Sequence, residues 1–162
     1  MPVRSATPAD LPAIKAIYDG QVAGGIATFD LEPPPVSYWE HRLASTDRGD
    51  HLLVADEDGV VGYAYSSAYR PRPAYRHTRE TSVYVDPAAH GRGLGRALYD
   101  ELLRRLRTDG MRTAVAVVAL PNPGSRALHR ACGFEPVGVL REVGHKFDRW
   151  IDTEWWQIAL AG

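Results

Sequence analysis

The stretch SVYVDPAAHGRGLGRALYDELL, Ser82 to Leu103, leaves the chain few ways to fold. A run rich in β-formers ends at Asp86-Pro87, a glycine-rich turn follows (His90-Gly91-Arg92-Gly93-Leu94-Gly95), and an amphipathic helix begins at once. Leu94, Leu98, Leu102 and Leu106 fall on one helical face, and Gly110 stops the helix. Glycines let a backbone turn tightly and approach a ligand closely. The helix start adds unpaired N–H groups and the positive end of its dipole, so the turn is suited to an anion. The common nucleotide patterns fail: a GxGxxG motif from Gly91 would need glycine where Arg96 stands, and no Gly-Lys-Ser/Thr follows. The loop therefore suits a pyrophosphate without the pattern for NTP or NAD. Taken alone, it is equally a helix start with surplus glycines.

The flanks organise around this unit. Thr7-Pro8-Ala9-Asp10 opens a first helix carrying Leu11, Ile14, Ile17 and Tyr18. After Pro33-Pro34-Pro35, Ser37-Tyr38-Trp39-Glu40 reads as a capping box for a second. Strands are expected over His51–Asp56 and Val60–Tyr69, joined by a hairpin at Asp58-Gly59, and over Glu80–Asp86. Thr113–Leu120 is a continuous apolar run, as in a strand covered on both faces. A short helix over Ser125–Cys132 and strands around Val137–Val143 and Trp150–Leu160 complete the chain. The order predicts an α/β (α+β) fold over 1–162 as one domain, a mixed and mostly antiparallel central sheet with helices on its faces.

Composition excludes several function classes. A formal charge of −1 over 162 residues gives no field for nucleic acid. Lys15 and Lys146 are the only lysines, so the positive charge is nearly all arginine, the better fork for carboxylates but also a skew that genome composition produces. One cysteine, Cys132, and six scattered histidines leave no disulfide framework and no metal motif, so no metal is expected. The N-terminus lacks the layout of a signal peptide, and no apolar run could span a bilayer. The expectation is a cytoplasmic protein with no membrane or nucleic-acid partner.

The layout VYVDP…HGRGLGRAL resembles the acyl-CoA signature of the GNAT acetyltransferase superfamily. The blocks Arg70-Pro71-Arg72-Pro73-Ala74-Tyr75, Glu80 to Val85, Ala119-Leu120-Pro121-Asn122, Leu128-His129-Arg130 and Gly144-His145-Lys146-Phe147 are similar to its phosphinothricin/methionine-sulfone N-acetyltransferase branch. The likeness runs from about Val3 to Leu160. One departure stands in the loop, where His90 replaces the usual Gln or Arg.

The resemblance implies acetyl-CoA as co-substrate, its pyrophosphate on the amides of Gly91, Arg92, Gly93, Leu94, Gly95 and Arg96. Val83, Tyr84 and Val85 would pair with the amide-bearing pantetheine arm like an added strand, with Asn122 and Ser125 completing that site. Glu80 is the implied general base, since an amine protonated at neutral pH must lose a proton before attack; a solvent-facing strand glutamate is the plain alternative. His129 stands where wider relatives carry a tyrosine acid, and it shares a helical face with Asn122 and Ser125. Arg70, Pro71, Arg72 and Tyr75, with Phe29, Thr81 and Ser82, would hold the acceptor, two arginines clamping its anionic group. Cys132, in Ala-Cys-Gly-Phe, reads as packing and not as a nucleophile. Homodimers are implied, and the tryptophans Trp150, Trp155 and Trp156 read as core or interface. The expected reaction is direct acetyl transfer to the α-amino group of a small amino-acid-like acceptor; the rivals are another amine, or a binding module without chemistry.

Overall fold

The computed structural model describes residues 2–161. Its strands are β1 (Val3–Ser5), β2 (His51–Asp56), β3 (Val60–Ala68), β4 (Thr78–Val85), β5 (Thr113–Ala119), β6 (Glu135–Lys146) and β7 (Arg149–Ala159). The helices are α1 (Leu11–Gly24), α2 (Val36–Ala44), α3 (Leu94–Thr108) and α4 (Pro123–Ala131). The strands form one sheet in the order β1-β2-β3-β4-β5-β7-β6. Its pairings are antiparallel except β4 with β5, so the mixed, mostly antiparallel sheet is as expected.

Strand alternation sends side chains to two cores. Leu53, Ala55, Ala64, Ala114, Ala116 and Val118 pack under the α3 stripe of Leu94, Leu98, Leu102 and Leu106. Leu52, Val54, Tyr63 and Tyr65 meet α1 and α2 through Leu11, Ile14, Tyr18 and the fully buried Trp39. At about 25 cal/mol per Å² of apolar surface removed from water, these two layers are the main support of the fold. Among the described residues no helix is long and apolar enough to cross a membrane.

Three local expectations change. The first helix starts later than Thr7-Pro8 suggests: Pro8–Asp10 form a single 3₁₀ turn, and α1 begins at Leu11. The buried Asp10 carboxylate accepts the Thr7 backbone N–H at 2.7 Å and pairs with Arg4 at 2.7 Å, which tightens that turn. The Ser37 capping box is not formed, because the proline run delivers the chain extended up to Pro35 and α2 starts at Val36, leaving Ser37 inside the first turn. The last hairpin is longer than its apolar runs, and its tryptophans divide: Trp156 is fully buried, while Trp150 is 66% exposed.

Candidate active site

The parallel β4–β5 pair is where the sheet opens. Their register holds only from Thr78/Thr113 to Glu80/Val115, although β4 continues to Val85 and β5 to Ala119. Beyond Glu80 the strands part, so the Thr81–Val85 backbone has no strand partner on that side. A cavity of about 490 Å³ occupies the gap, lined by Thr81 to Val85, Val117 to Ala119, Asn122 and Ser125. An unpaired strand edge in a groove is a template for an extended ligand that carries its own amides.

The glycine turn closes one end. Gly91 and Gly93 take φ of +81° and +75°, a region that costs other residues about 1–2 kcal/mol. Gly93 in this left-handed conformation is the N-cap of α3, so the first N–H groups of the helix face the cavity and not a side chain. Gly95 serves packing: a Cβ there would lie 3.0 Å from Leu128 Cδ2, so glycine lets α3 and α4 approach. His90, the departure from the usual pattern, folds back and its Nε2–H donates to Val85 O at 3.1 Å, tying the loop to the strand it follows. Asn122 caps α4, its Oδ1 accepting from Ser125 N at 3.1 Å.

A second cavity of about 200 Å³ opens on the α1/α2 side and shares Ala27, Thr81, Ser82, Tyr84, Val117 and Ala119 with the first. Glu80 lines it, with Phe29, Thr28, Tyr18 and Tyr65. Burial pushes the Glu80 carboxyl above its ordinary pKa, opposed by the positive charges of Arg70 and then Arg42. Of the loop arginines, Arg70 is exposed and lies over the Tyr69 ring at 5.1 Å. Pro71, Arg72 and Tyr75 are also exposed, and none of these four lines the cavity, so the expected two-arginine clamp is not formed; a 3₁₀ turn over Pro73–Tyr75 holds Tyr75 edge-on to Tyr69 instead.

His129 sits on the opposite face, 3% exposed, at the floor of the first cavity. Its Nδ1 lies 2.7 Å from Ser125 O, which only accepts, so Nδ1 carries the proton. Nε2 is then the acceptor for the Tyr99 hydroxyl at 3.0 Å, and Thr81 Oγ1 donates to that hydroxyl at 3.2 Å. The donors run in one direction, Thr81 to Tyr99 to His129 to Ser125. Burial lowers the His129 pKa, against the Ser125 bond, and favours the neutral ring. Cys132, with its thiol pushed up to about 11 by burial, packs against the core at the end of α4.

Periodicity alone did not expose three site residues. Tyr99 lies among the buried leucines of α3 and reads as core until α4 brings His129 against it. Tyr65 alternates with Tyr63 as a core strand residue would. Arg42, on α2, stacks on Tyr65 at 4.0 Å and donates to Tyr38 Oη at 2.5 Å, while its buried Nε has no hydrogen-bond partner. The i, i+4 spacing of Tyr38 and Arg42 was the one available signal.

Residues 3–155 match the family model described as an acetyltransferase (GNAT) domain. The chain is 48% identical over 147 residues to a phosphinothricin N-acetyltransferase of Alcaligenes faecalis, covering 89% of this chain and 75% of that protein. It is 37% identical over 161 residues to an L-methionine sulfoximine/L-methionine sulfone acetyltransferase of Pseudomonas aeruginosa, covering 98% and 94%. The crystal structure of a GNAT superfamily phosphinothricin acetyltransferase from Sinorhizobium meliloti in complex with AcCoA superposes with a TM-score of 0.92 at 43% identity, covering 98% of this chain and 87% of that one. The parted strands, glycine turn and capped α3 thus sit in a chain that belongs to the GNAT acetyltransferase family and is an acyltransferase.

Proposed function

We propose that this acetyltransferase moves the acetyl group of acetyl-CoA to the α-amino group of a small amino-acid-like acceptor, of the phosphinothricin, methionine sulfone or methionine sulfoximine kind. The observation that carries this is the continuity of the two cavities across the parted strands, a long groove for the donor meeting a small pocket that holds a carboxyl group. The residues fit such a donor. The α3 N–H groups and the Gly91–Arg96 turn suit its pyrophosphate, and Val83, Tyr84 and Val85 offer the unpaired edge for its pantetheine amides. Asn122 and Ser125 close the far side.

Glu80 takes a proton from the acceptor ammonium, and the freed amine attacks the thioester carbonyl carbon. The raised pKa of its buried carboxyl brings the base nearer the working pH. As the carbon–sulfur bond breaks, the thiolate needs a proton. The neutral His129 bears no proton on Nε2, so the Tyr99 hydroxyl turns from Nε2 to the thiolate and gives up its proton; the phenolate left behind is held by the Thr81 hydroxyl and is reprotonated from solvent as the thiol leaves. On the acceptor, Phe29 forms a wall beside Thr81 and Ser82, while Arg70, aided by Arg42, supplies positive potential near Glu80. Arg72, Pro71 and Tyr75 serve as an outer rim. We take the described residues as one domain working in the cytoplasm on a small amine, without metal.

Two copies of the chain are the second part of this reading. The edge strand β6 and its hairpin expose Val137, Val139, Leu140, Val143, Phe147 and Trp150, an edge rich in apolar side chains and suited to the same edge of another copy. Light scattering of purified protein tests it, with a monomer mass counting against it. The activity is tested by incubating the protein with acetyl-CoA and a panel of those amino acids, a polyamine and a peptide N-terminus, following free thiol with a disulfide reagent. Release dependent on the anionic amino acids is expected. Release only with the polyamine or peptide, or with no amine at all, refutes the assignment.

A further inference from the structure

Strand β6 is exposed along almost its whole length, yet two residues near its end, Gly144 and Lys146, are buried. Alternation puts both on one face, and both meet the segment that follows α1. The Lys146 ammonium, on a residue 3% exposed, donates to Gln21 O at 3.2 Å and to Thr28 O at 3.0 Å, with the Phe147 ring 5.2 Å away. Gln21 lines the first cavity and Thr28 the second. Gly144 carries the Phe29 ring so closely that a Cβ would lie 2.4 Å from Phe29 Cζ. The segment is held elsewhere by lighter ties: Tyr84 Oη donates to Ala27 O at 3.2 Å, and Tyr18 bonds Thr28 Oγ1 at 2.6 Å and Asp30.

We propose that Lys146 is a positioning residue of the acceptor pocket: its ammonium pins the carbonyls of Gln21 and Thr28, and so fixes the Phe29 wall of the second cavity against Gly144. The pocket assignment rests on the function proposed above; the pinning of the segment does not. A cation suits this duty, because a neutral side chain of equal length leaves two carbonyls without their donor. The same ammonium bonds one lining residue of each cavity, Gln21 of the first and Thr28 of the second, so it holds the acceptor wall in register with the donor groove.

The test uses the full chain with Lys146→Met, Gly144→Ala and Phe29→Ala. For Lys146→Met the acceptor KM is expected to rise about tenfold, while the acetyl-CoA Kd stays within about twofold. Added to Phe29→Ala, Lys146→Met should change acceptor KM little further, since both act through one wall. Gly144→Ala should raise acceptor KM in the presence of Phe29 and have no effect once Phe29 is alanine, which keeps the proposal open to test if Lys146→Met folds poorly. Amide hydrogen exchange over residues 25–31, measured without any acceptor, should quicken in Lys146→Met while β5 is unchanged. Unchanged exchange in that segment, additive effects with Phe29→Ala, or lowered stability at constant acceptor KM overturns the role. Failure of wild-type protein to acetylate any amine refutes the pocket assignment instead, and the exchange measurement then decides the pinning alone.

Discussion

The Tyr99 hydroxyl donates to Nε2 of His129 across 3.0 Å at the floor of the first cavity, with Thr81 behind it and Ser125 O beyond. This relation joins α3 to α4. In the proposed mechanism the Tyr99 phenol, whose pKa burial raises and the Thr81 hydrogen bond lowers, gives its proton to the leaving thiolate. Removing either partner should break the same step. Tyr99→Phe and His129→Gln are each expected to lower kcat by about 10–100-fold, and the double variant by no more than the worse single one. Rapid mixing with acetyl-CoA and acceptor, followed by thiol release, checks this; multiplicative losses would mean separate roles.

Glu80→Gln is expected to lower turnover by about 10²–10⁴-fold with acetyl-CoA binding nearly intact. It also carries a stability signature. The folded pKa of Glu80 is raised by burial, so ionising it in the native state opposes folding at pH values above its folded pKa, and this cost is absent below its unfolded value near 4.5. Glu80→Gln should therefore melt higher than wild type at pH 7, and the difference should vanish on acidification below about 4.5. Thermal scans over that range decide it.

Arg70 and Arg42 both hold the Glu80 carboxyl down against its burial. Neutralising either, as Arg70→Gln or Arg42→Gln, should move the acidic limb of the kcat/KM profile to higher pH, the larger move coming from Arg70. An unmoved limb in both variants would show that neither cation faces Glu80 in solution.

His129 is neutral in the folded state because burial lowers its pKa below 6.5. The unfolded chain then binds more protons as pH falls, so stability is full above about 6.5 and declines as the pH drops through the folded value. His129→Gln should flatten that decline in chemical denaturation between pH 7 and 5.

Gly93→Ala places a Cβ on a φ of +75° and should cost about 1–2 kcal/mol, weakening acetyl-CoA through the displaced first turn of α3. Gly95→Val forces Leu128 aside and should destabilise by about 1–3 kcal/mol. Isothermal titration and denaturant melts separate the loss of binding from the loss of stability.

The strand–glycine turn–helix unit and the sheet class were legible in the chain because they are local. The Leu94-to-Leu106 stripe, the αL glycines and the Asp58-Gly59 hairpin each follow from the nearest few residues, and the structure has them. Element starts were less so, since a proline run and one buried carboxylate shifted α2 and α1. The resemblance pointed to Glu80, Asn122 and His129, which the structure places in the linings of the two cavities, but not to their contacts. That His129 carries its proton on Nδ1 depends on Ser125 O, and that Tyr99 is its partner depends on packing α4 against α3. Arg42 acts on Glu80 only because α2 sets it over Tyr65 of β3, and Lys146 reaches Thr28 only because the edge strand β6 returns to the segment that follows α1. Short-range preferences decide elements, whereas burial and charge proximity are properties of the packed chain, and the chemistry of this site is made of the latter.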